Sequence, residues 1–173
     1  MRIFIFLEIY IGCCTALDDY FTQYPFSSRD GYIFTGDYFD RGIENVATFK
    51  FFNRIVKEPN VLCLIGNHEA HIFNYANDLP VKSKEFINKT AIQFANAGIE
   101  KSDLRNFYRK LGVNAYITFR GNDFIISHGG LPCMPKKSID LLCAENCMGR
   151  EDYTPLTLAT IYGETEKNKI KQK

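Results

Sequence analysis

The sequence predicts an α/β fold built on a parallel sheet, and three observations support this prediction. Short apolar runs of the buried-strand type alternate with longer amphipathic segments of the helix type. The links between them are short, which favours right-handed crossovers within one sheet. Three of the apolar runs end in polar side chains of the kind that bind metals or phosphate. Because open α/β sheets bind ligands at the carboxyl ends of their strands, the three turns predict one shared site.

Length and composition predict a single domain that spans residues 1–173. The apolar fraction of 46% is ordinary for a globular protein. The net charge is +1, from 21 basic and 20 acidic residues, so no partnership with nucleic acid or a membrane surface is expected. We expect a cytoplasmic protein.

The first predicted strand covers residues 3–11. An alternative is a short secretory signal, because Ile11-Gly12-Cys13 is similar to a lipoprotein cleavage site. Glu8 interrupts the apolar run and only one positive charge precedes it, so we favour the buried strand. No apolar run approaches the ~20 residues that a membrane span needs.

Helix and strand patterns then alternate. Thr15 to Tyr24 reads as a helix that ends before Pro25, and a second strand begins at Tyr32. Residues 44–57 are predicted to be helical, and a third strand covers residues 61–65. The apolar stripe of the second helix consists of Val46, Phe49, Phe52, Ile55 and Val56.

Residues 72–111 are predicted to form a helical, cap-like insertion beside the site, with helices at 84–97 and 102–111. Residues 113–119 alternate in polarity toward a predicted turn at Gly121-Asn122, and residues 124–127 follow as the second strand of a β-hairpin. A further helix is expected at residues 138–148.

Six cysteines leave two alternatives to ordinary thiols, namely disulfides and a zinc cluster. The chain is too long for a small disulfide scaffold, and Cys63 lies within a strand pattern. Cys143 and Cys147, with Cys133 upstream, match no strong zinc spacing. We therefore predict reduced cysteines.

The chemistry of the three turns predicts a metal-dependent reaction. Asp37, Asn67 and His128 offer a carboxylate, an amide carbonyl and an imidazole, a mixture that suits manganese, iron or zinc. His68 and Asp40 form a candidate general acid pair, in which the carboxylate would fix the imidazole tautomer. The candidate metal ligands and the candidate acid pair together predict hydrolysis of a phosphate ester by a metal-bound hydroxide.

Arg41 can neutralise phosphate charge in the transition state, and Asn67 is a second candidate contact for the phosphate. Each site residue also has an ordinary structural interpretation. Asp37 and Asp40 could be turn or N-cap residues, and His71 is expected to be a surface histidine. These interpretations do not explain why all three turns follow apolar strands.

The three turns resemble the second, third and fourth motifs of the calcineurin-like metallophosphoesterases, and most of all the serine/threonine phosphoprotein phosphatase branch in its small bacterial form. The motifs run from Gly36 to Gly42, from Gly66 to Glu69 and from Ser127 to Gly130. The resemblance implies an α/β/β/α sandwich with a two-metal centre. It also implies that Asp37 bridges the metals, that Asn67 and His128 bind the second metal, and that His68, paired with Asp40, is the general acid.

The sequence departs from the family pattern at two places. The family opens with an Asp-x-His-Gly motif, whereas Ile9 and Ile11 stand at the matching positions here, and Glu8 replaces the Asp only if one residue has been inserted. The family also uses a later histidine, and no histidine follows His128. We therefore expect a sandwich truncated at its C-terminal end that holds two, one or no metal ions.

The predicted function is a metal-dependent phosphatase that acts on a phosphorylated protein or a small phosphate ester. The alternative is a degenerate phosphatase-like domain or fragment that binds without turnover, because a site that lacks ligands binds metal poorly.

Overall fold

The computed structural model describes residues 4–7 and 12–129. Its strands are β1 (Phe4–Leu7), β2 (Gly31–Phe34), β3 (Val61–Cys63), β4 (Asn114–Phe119) and β5 (Asn122–Ser127). Its α-helices are α1 (Cys14–Gln23), α2 (Asn45–Ile55), α3 (Glu69–Ala76), α4 (Ala91–Asn96) and α5 (Lys101–Tyr108). A π-helical turn, Phe86–Thr90, runs directly into α4.

The first three strands form a parallel sheet in the order β1-β2-β3. Ile33 of β2 is opposite both Phe6 of β1 and Leu62 of β3. Helix α1 connects the first pair of strands and helix α2 connects the second. The predicted β-α-β-α-β order is therefore confirmed, and the carboxyl ends of the three strands meet at one edge.

Strands β4 and β5 form an antiparallel hairpin, as predicted. The connecting turn is Arg120-Gly121, and both residues have positive φ angles, 50° and 78°. Asn122 was predicted to belong to the turn, but it pairs with Phe119 in the ladder. A two-residue turn with positive φ angles matches the right-handed twist of the flanking strands, whereas a turn with negative φ angles would splay them.

The two sheets pack face to face. Ile33 of β2 and Leu64, which directly follows β3, are buried against Ala115 of the hairpin, and Leu62, Ile117 and Ile126 surround this contact. A bridge between Leu64 and Gly112 joins the sheets at one corner. The mixed α/β class is thus confirmed, with two stacked sheets in the described part of the chain.

Helices cover the opposite face of the parallel sheet. Because side chains alternate along a strand, Tyr32 and Phe34 of β2 point to the helices while Ile33 points to the hairpin. Phe34 is fully buried, and its ring lies edge-on to Phe52 of α2, 5.2 Å away. Burying one such side chain stabilises the fold by about 2 kcal/mol. The helical segments predicted at 84–97 and 102–111 are observed at 84–96 and at α5.

Several predictions fall on residues outside the described ranges. These are the helix at residues 138–148, the cysteines Cys133, Cys143 and Cys147, and the C-terminal part of strand one with Glu8. Cys13, Cys14 and Cys63 form no disulfide among the described residues. None of the helices in the described part of the chain has the length and hydropathy of a membrane span.

Candidate active site

The turns after β2 and β3 touch through their backbones, and glycine makes this approach feasible. A Cβ atom placed on Gly66 would lie 2.2 Å from Asp37 Oδ1 and 2.4 Å from Asp37 N. Gly36 has a φ angle of +100°, and a Cβ atom there would lie 2.5 Å from Gly66 N. A side chain at either position would push the two turns apart. The site therefore depends on backbone contact as well as on its functional side chains.

Two aromatic residues hold the first turn in the core and leave its two aspartates at the edge. Tyr38 and Phe39 are fully buried. The Tyr38 hydroxyl lies 2.8 Å from the Leu64 carbonyl oxygen, and the Phe39 ring lies edge-on to Phe94 at 5.8 Å. The two adjacent aromatic residues, flanked by the two aspartates, thus anchor the turn between the sheet and the helices.

Asp37 has a positive φ angle of 59° and links all three turns. Its Oδ1 accepts the backbone N–H of His68 at 3.0 Å, and its Oδ2 lies 3.4 Å from His128 Nε2. Burial opposes ionisation of this carboxyl, but the hydrogen bonds and positive charge supplied by His128 and His68 lower its pKa. Asp37 is therefore held as a carboxylate.

His128 has one ring nitrogen fixed by the backbone and the other aimed at the site. Nδ1 donates to the Thr35 carbonyl oxygen at 2.8 Å, which leaves Nε2 facing Asn67 Oδ1 at 3.1 Å and Asp37 Oδ2. The hydrogen bond to Asp37 raises the pKa of His128 despite burial. In the neutral imidazole, three lone pairs converge on one point, and a cation satisfies such an arrangement. These residues fit a divalent metal.

His68 and Asp40 form a buried pair. His68 Nδ1 lies 2.8 Å from Asp40 Oδ2, and Asp40 is fully buried. Burial opposes protonation of the ring, but the hydrogen bond from Asp40 and the neighbouring carboxylates raise the pKa of His68. The carboxylate fixes the proton on Nδ1 and directs Nε2 away from the pair. This arrangement suits a residue that delivers a proton from Nε2.

Asp40 adopts a φ angle of +101°, which a non-glycine residue rarely takes, and Asn45 supports it. Asn45 Oδ1 accepts the Asp40 backbone N–H at 2.9 Å, and its Nδ2 donates to the Gly42 carbonyl oxygen and to Gln93 Oε1. Gln93 lies on α4. The helical insertion therefore buttresses the turn that carries the aspartate–histidine pair.

Arg41 lies beside this pair on the surface. Its side chain is exposed, and its carbonyl oxygen accepts a hydrogen bond from Lys89 at 3.2 Å. Among the residues that the structure describes, the guanidinium makes no hydrogen bond or ion pair. Arg41 is thus anchored through its backbone while its charged group faces solvent.

Sequence reasoning missed two neighbours of the site. Glu69 is fully buried, and its carboxylate accepts the backbone N–H groups of Asp37, Tyr38 and Gly66, each at 2.8 Å. Burial and the charge of Asp37 raise the pKa of Glu69 to about 7. These N–H groups belong to the turns after β2 and β3 and not to the first turn of α3, so local helix rules gave no signal for this role.

His71 is the second missed neighbour, and its predicted exposure was wrong. The ring is partly buried and lies edge-on to the His68 ring, 5.9 Å away. Residue spacing offered the signal: His68 and His71 are three apart at the start of α3, so they share a face. Glu8, the remaining predicted ligand, lies outside the described residues.

The chain is similar in sequence to a known protein family and to one curated protein. A family model described as calcineurin-like phosphoesterase matches residues 10–164. Among curated proteins, the chain is similar to the asymmetrical bis(5'-nucleosyl)-tetraphosphatase PrpE of Oceanobacillus iheyensis, at 22% identity over 176 residues. That match covers 95% of this chain and 65% of the relative.

Among solved structures, the chain is similar to two structures of a cold-active protein tyrosine phosphatase, one of them a mutant. Each has a TM-score of 0.56 and 18% sequence identity, and each match covers 100% of this chain. The chain spans 52% and 51% of those proteins. At this identity the likeness shows a shared fold.

Proposed function

This chain belongs to the calcineurin-like phosphoesterase family, and we propose that it hydrolyses phosphate monoesters at the site formed by the three turns. The resemblance to this family is confirmed; its members hydrolyse phosphate esters and depend on divalent metals. One observation carries the proposal for this chain: Asp37, Asn67 and His128 converge beside the His68–Asp40 pair.

A divalent ion would be held by Asp37, Asn67 and His128. It would supply a Lewis acid that activates water and neutralises phosphate charge. Manganese, iron and zinc all suit the mixed donor set, and manganese is the ion to test first. The other ion of the family's two-metal centre would need Glu8 as a ligand, because Ile9 and Ile11 offer no donor atom.

His68 supplies the proton that the leaving group needs. When the phosphorus–oxygen bond breaks, the ester oxygen accepts a proton from His68 Nε2, and Asp40 stabilises the imidazole throughout. The turn that carries Asp40 is strained and is braced by Asn45, so the pair is positioned before substrate binds.

Arg41 and Asn67 bind the transferred phosphate. The exposed guanidinium of Arg41 presents a planar pair of donors that matches two phosphate oxygens. The side-chain amide of Asn67 donates from Nδ2 while Oδ1 faces His128.

Substrate choice lies with the helical insertion, residues 72–111, which contacts the Arg41 turn through Lys89 and Gln93. A serine/threonine phosphoprotein and a small phosphate ester in the cytoplasm are the substrates that the motifs favour. A second candidate is a dinucleoside polyphosphate, because the relative from Oceanobacillus iheyensis is named as a tetraphosphatase.

The test compares two aryl phosphates. Phenyl phosphate needs protonation of its leaving group, whereas 4-nitrophenyl phosphate needs little. With manganese present, we expect His68→Asn to lower kcat/KM by about 10²-fold or more on phenyl phosphate and by far less on 4-nitrophenyl phosphate. An equal loss of kcat/KM on both esters would show that His68 is not the general acid.

Absence of manganese-dependent turnover on either ester, by folded wild-type protein, would favour the non-catalytic binding domain instead. Parallel assays with a phosphoserine peptide, a phosphotyrosine peptide and diadenosine tetraphosphate would then rank the substrate classes by kcat/KM.

A further inference from the structure

We propose that Asp40, His68 and His71 form a second cation site, which takes zinc and thereby blocks the general acid. It is separate from the site of Asp37, Asn67 and His128. Two imidazoles and one carboxylate make a donor set that zinc accepts, with a fourth position left for water. The binding claim stands on geometry alone, whereas its effect on turnover rests on the proposed function.

The three side chains already lie close together. Each offers one ligand-type atom, and these atoms are all within 4.8 Å of one another. Tetrahedral zinc with bonds of about 2.1 Å separates its donor atoms by roughly 3.4 Å. A small rotation of the partly exposed His71 ring would bring the donors to that spacing.

Asp40 has an unused oxygen at this point. Its Oδ2 contacts His68, but its Oδ1 is buried and has no hydrogen-bond partner among the described residues. A buried carboxylate oxygen without a donor is unfavourable, because burial removes the water that would otherwise bind it. A cation between Asp40 and the imidazoles would satisfy this oxygen.

His71 is arranged as a ligand rather than as a hydrogen-bonding residue. The described residues give its ring nitrogens no hydrogen bond, and the ring lies between His68 and Phe86, at 5.9 and 6.1 Å. Its backbone N–H donates to the His68 carbonyl oxygen at 3.0 Å, which fixes the two residues on one turn. In its neutral form the His71 ring carries one nitrogen lone pair, which is the group that binds a metal.

Binding there would remove the acid from the reaction. A cation shared by Asp40 and His68 would take the place of the proton that Nδ1 holds toward the carboxylate, so the ring could no longer form the imidazolium that delivers a proton from Nε2. Low zinc would therefore inhibit turnover that manganese at the first site supports. The inhibition would be non-competitive with manganese, because the two ions use different ligands.

The direct test uses the three histidines, which are the chain's full complement. Metal-free protein labelled with ¹⁵N-histidine is titrated with zinc, both as wild type and as His128→Asn, and the ring nitrogens are followed by NMR. Ring nitrogens report histidine coordination alone, so zinc bound by cysteine thiols elsewhere does not interfere. We expect the His68 and His71 signals to shift together in both proteins.

A second measurement tests the role of His71. In His71→Asn, the zinc dissociation constant reported by the His68 ring should rise at least about tenfold. Zinc shifts confined to His128 in the wild type, with none in His128→Asn, would overturn the proposal. Failure of the phosphatase assay would leave these NMR results unaffected, so the two proposals fail separately.

Discussion

His68 Nδ1 lies 2.8 Å from Asp40 Oδ2 although the two residues come from different turns, one after β2 and one after β3. Both residues are buried, and 8% of His68 is exposed against none of Asp40. A buried carboxylate hydrogen-bonded to one nitrogen of an imidazole is the arrangement of a positioned proton donor.

Asp40→Asn should lower turnover of phenyl phosphate by about 10²- to 10⁴-fold. Asparagine keeps the size of the side chain and tolerates a positive φ angle, but it no longer stabilises the imidazolium of His68. Steady-state kinetics with manganese measure the loss, and circular dichroism checks that the variant is folded. An active Asp40→Asn variant with unchanged kcat/KM would contradict the pairing.

Manganese should raise the Tm of the wild type and leave that of His128→Asn nearly unchanged. Ligand that binds only the folded state stabilises it, by about 2.7 kcal/mol at a concentration of 100 times the dissociation constant. Differential scanning fluorimetry with and without manganese measures the shift. Asn122→Ala, at the exposed start of β5, is the control and should respond as the wild type does.

Glu69→Gln should destabilise the fold by about 2 kcal/mol at pH 8, where the buried carboxylate is ionised. The amide has one acceptor oxygen, and its NH₂ group would face backbone N–H donors that the carboxylate now satisfies. Urea denaturation measures the free energy of unfolding. Glu85→Gln is a matched control, because Glu85 is exposed and contacts Lys89 only at 3.9 Å.

The stability of the metal-free protein should depend on the ionisation of His68. Its pKa in the folded state is raised above the unfolded value of about 6.5. The stabilisation is therefore fully present below that unfolded value, and it is lost as the pH rises through the folded-state pKa. The difference in unfolding free energy between the wild type and His68→Gln, measured in chelator, should be largest at low pH and shrink on raising the pH. A difference that instead grew with pH would mean that the pKa of His68 is lowered, and not raised, in the folded state.

The strand and helix pattern could be read from the sequence because it depends on local periodicity. The stripe of Val46, Phe49 and Phe52 identified α2, and the run ending at Ile65 identified β3. Ligand-type residues after β2 and β3 could be assigned to one edge because parallel strands share their carboxyl ends. The hairpin turn was misplaced by one residue, since Gly121 signals a turn but not its position in the ladder.

The linear sequence by itself determined the fold class and the identity of the side chains at the three turns. Only the tertiary structure decided how these turns meet. Gly66 has no side chain and so lets Asp37 approach, and Glu69 binds backbone N–H groups of the turns after β2 and β3. The ring of His71 lies edge-on to that of His68. The physical reason is that periodicity and propensity are local, whereas a distance such as that from His128 to Thr35 joins residues 93 apart in the chain. Packing of two sheets and a helix layer sets those distances, and no short stretch of sequence encodes them.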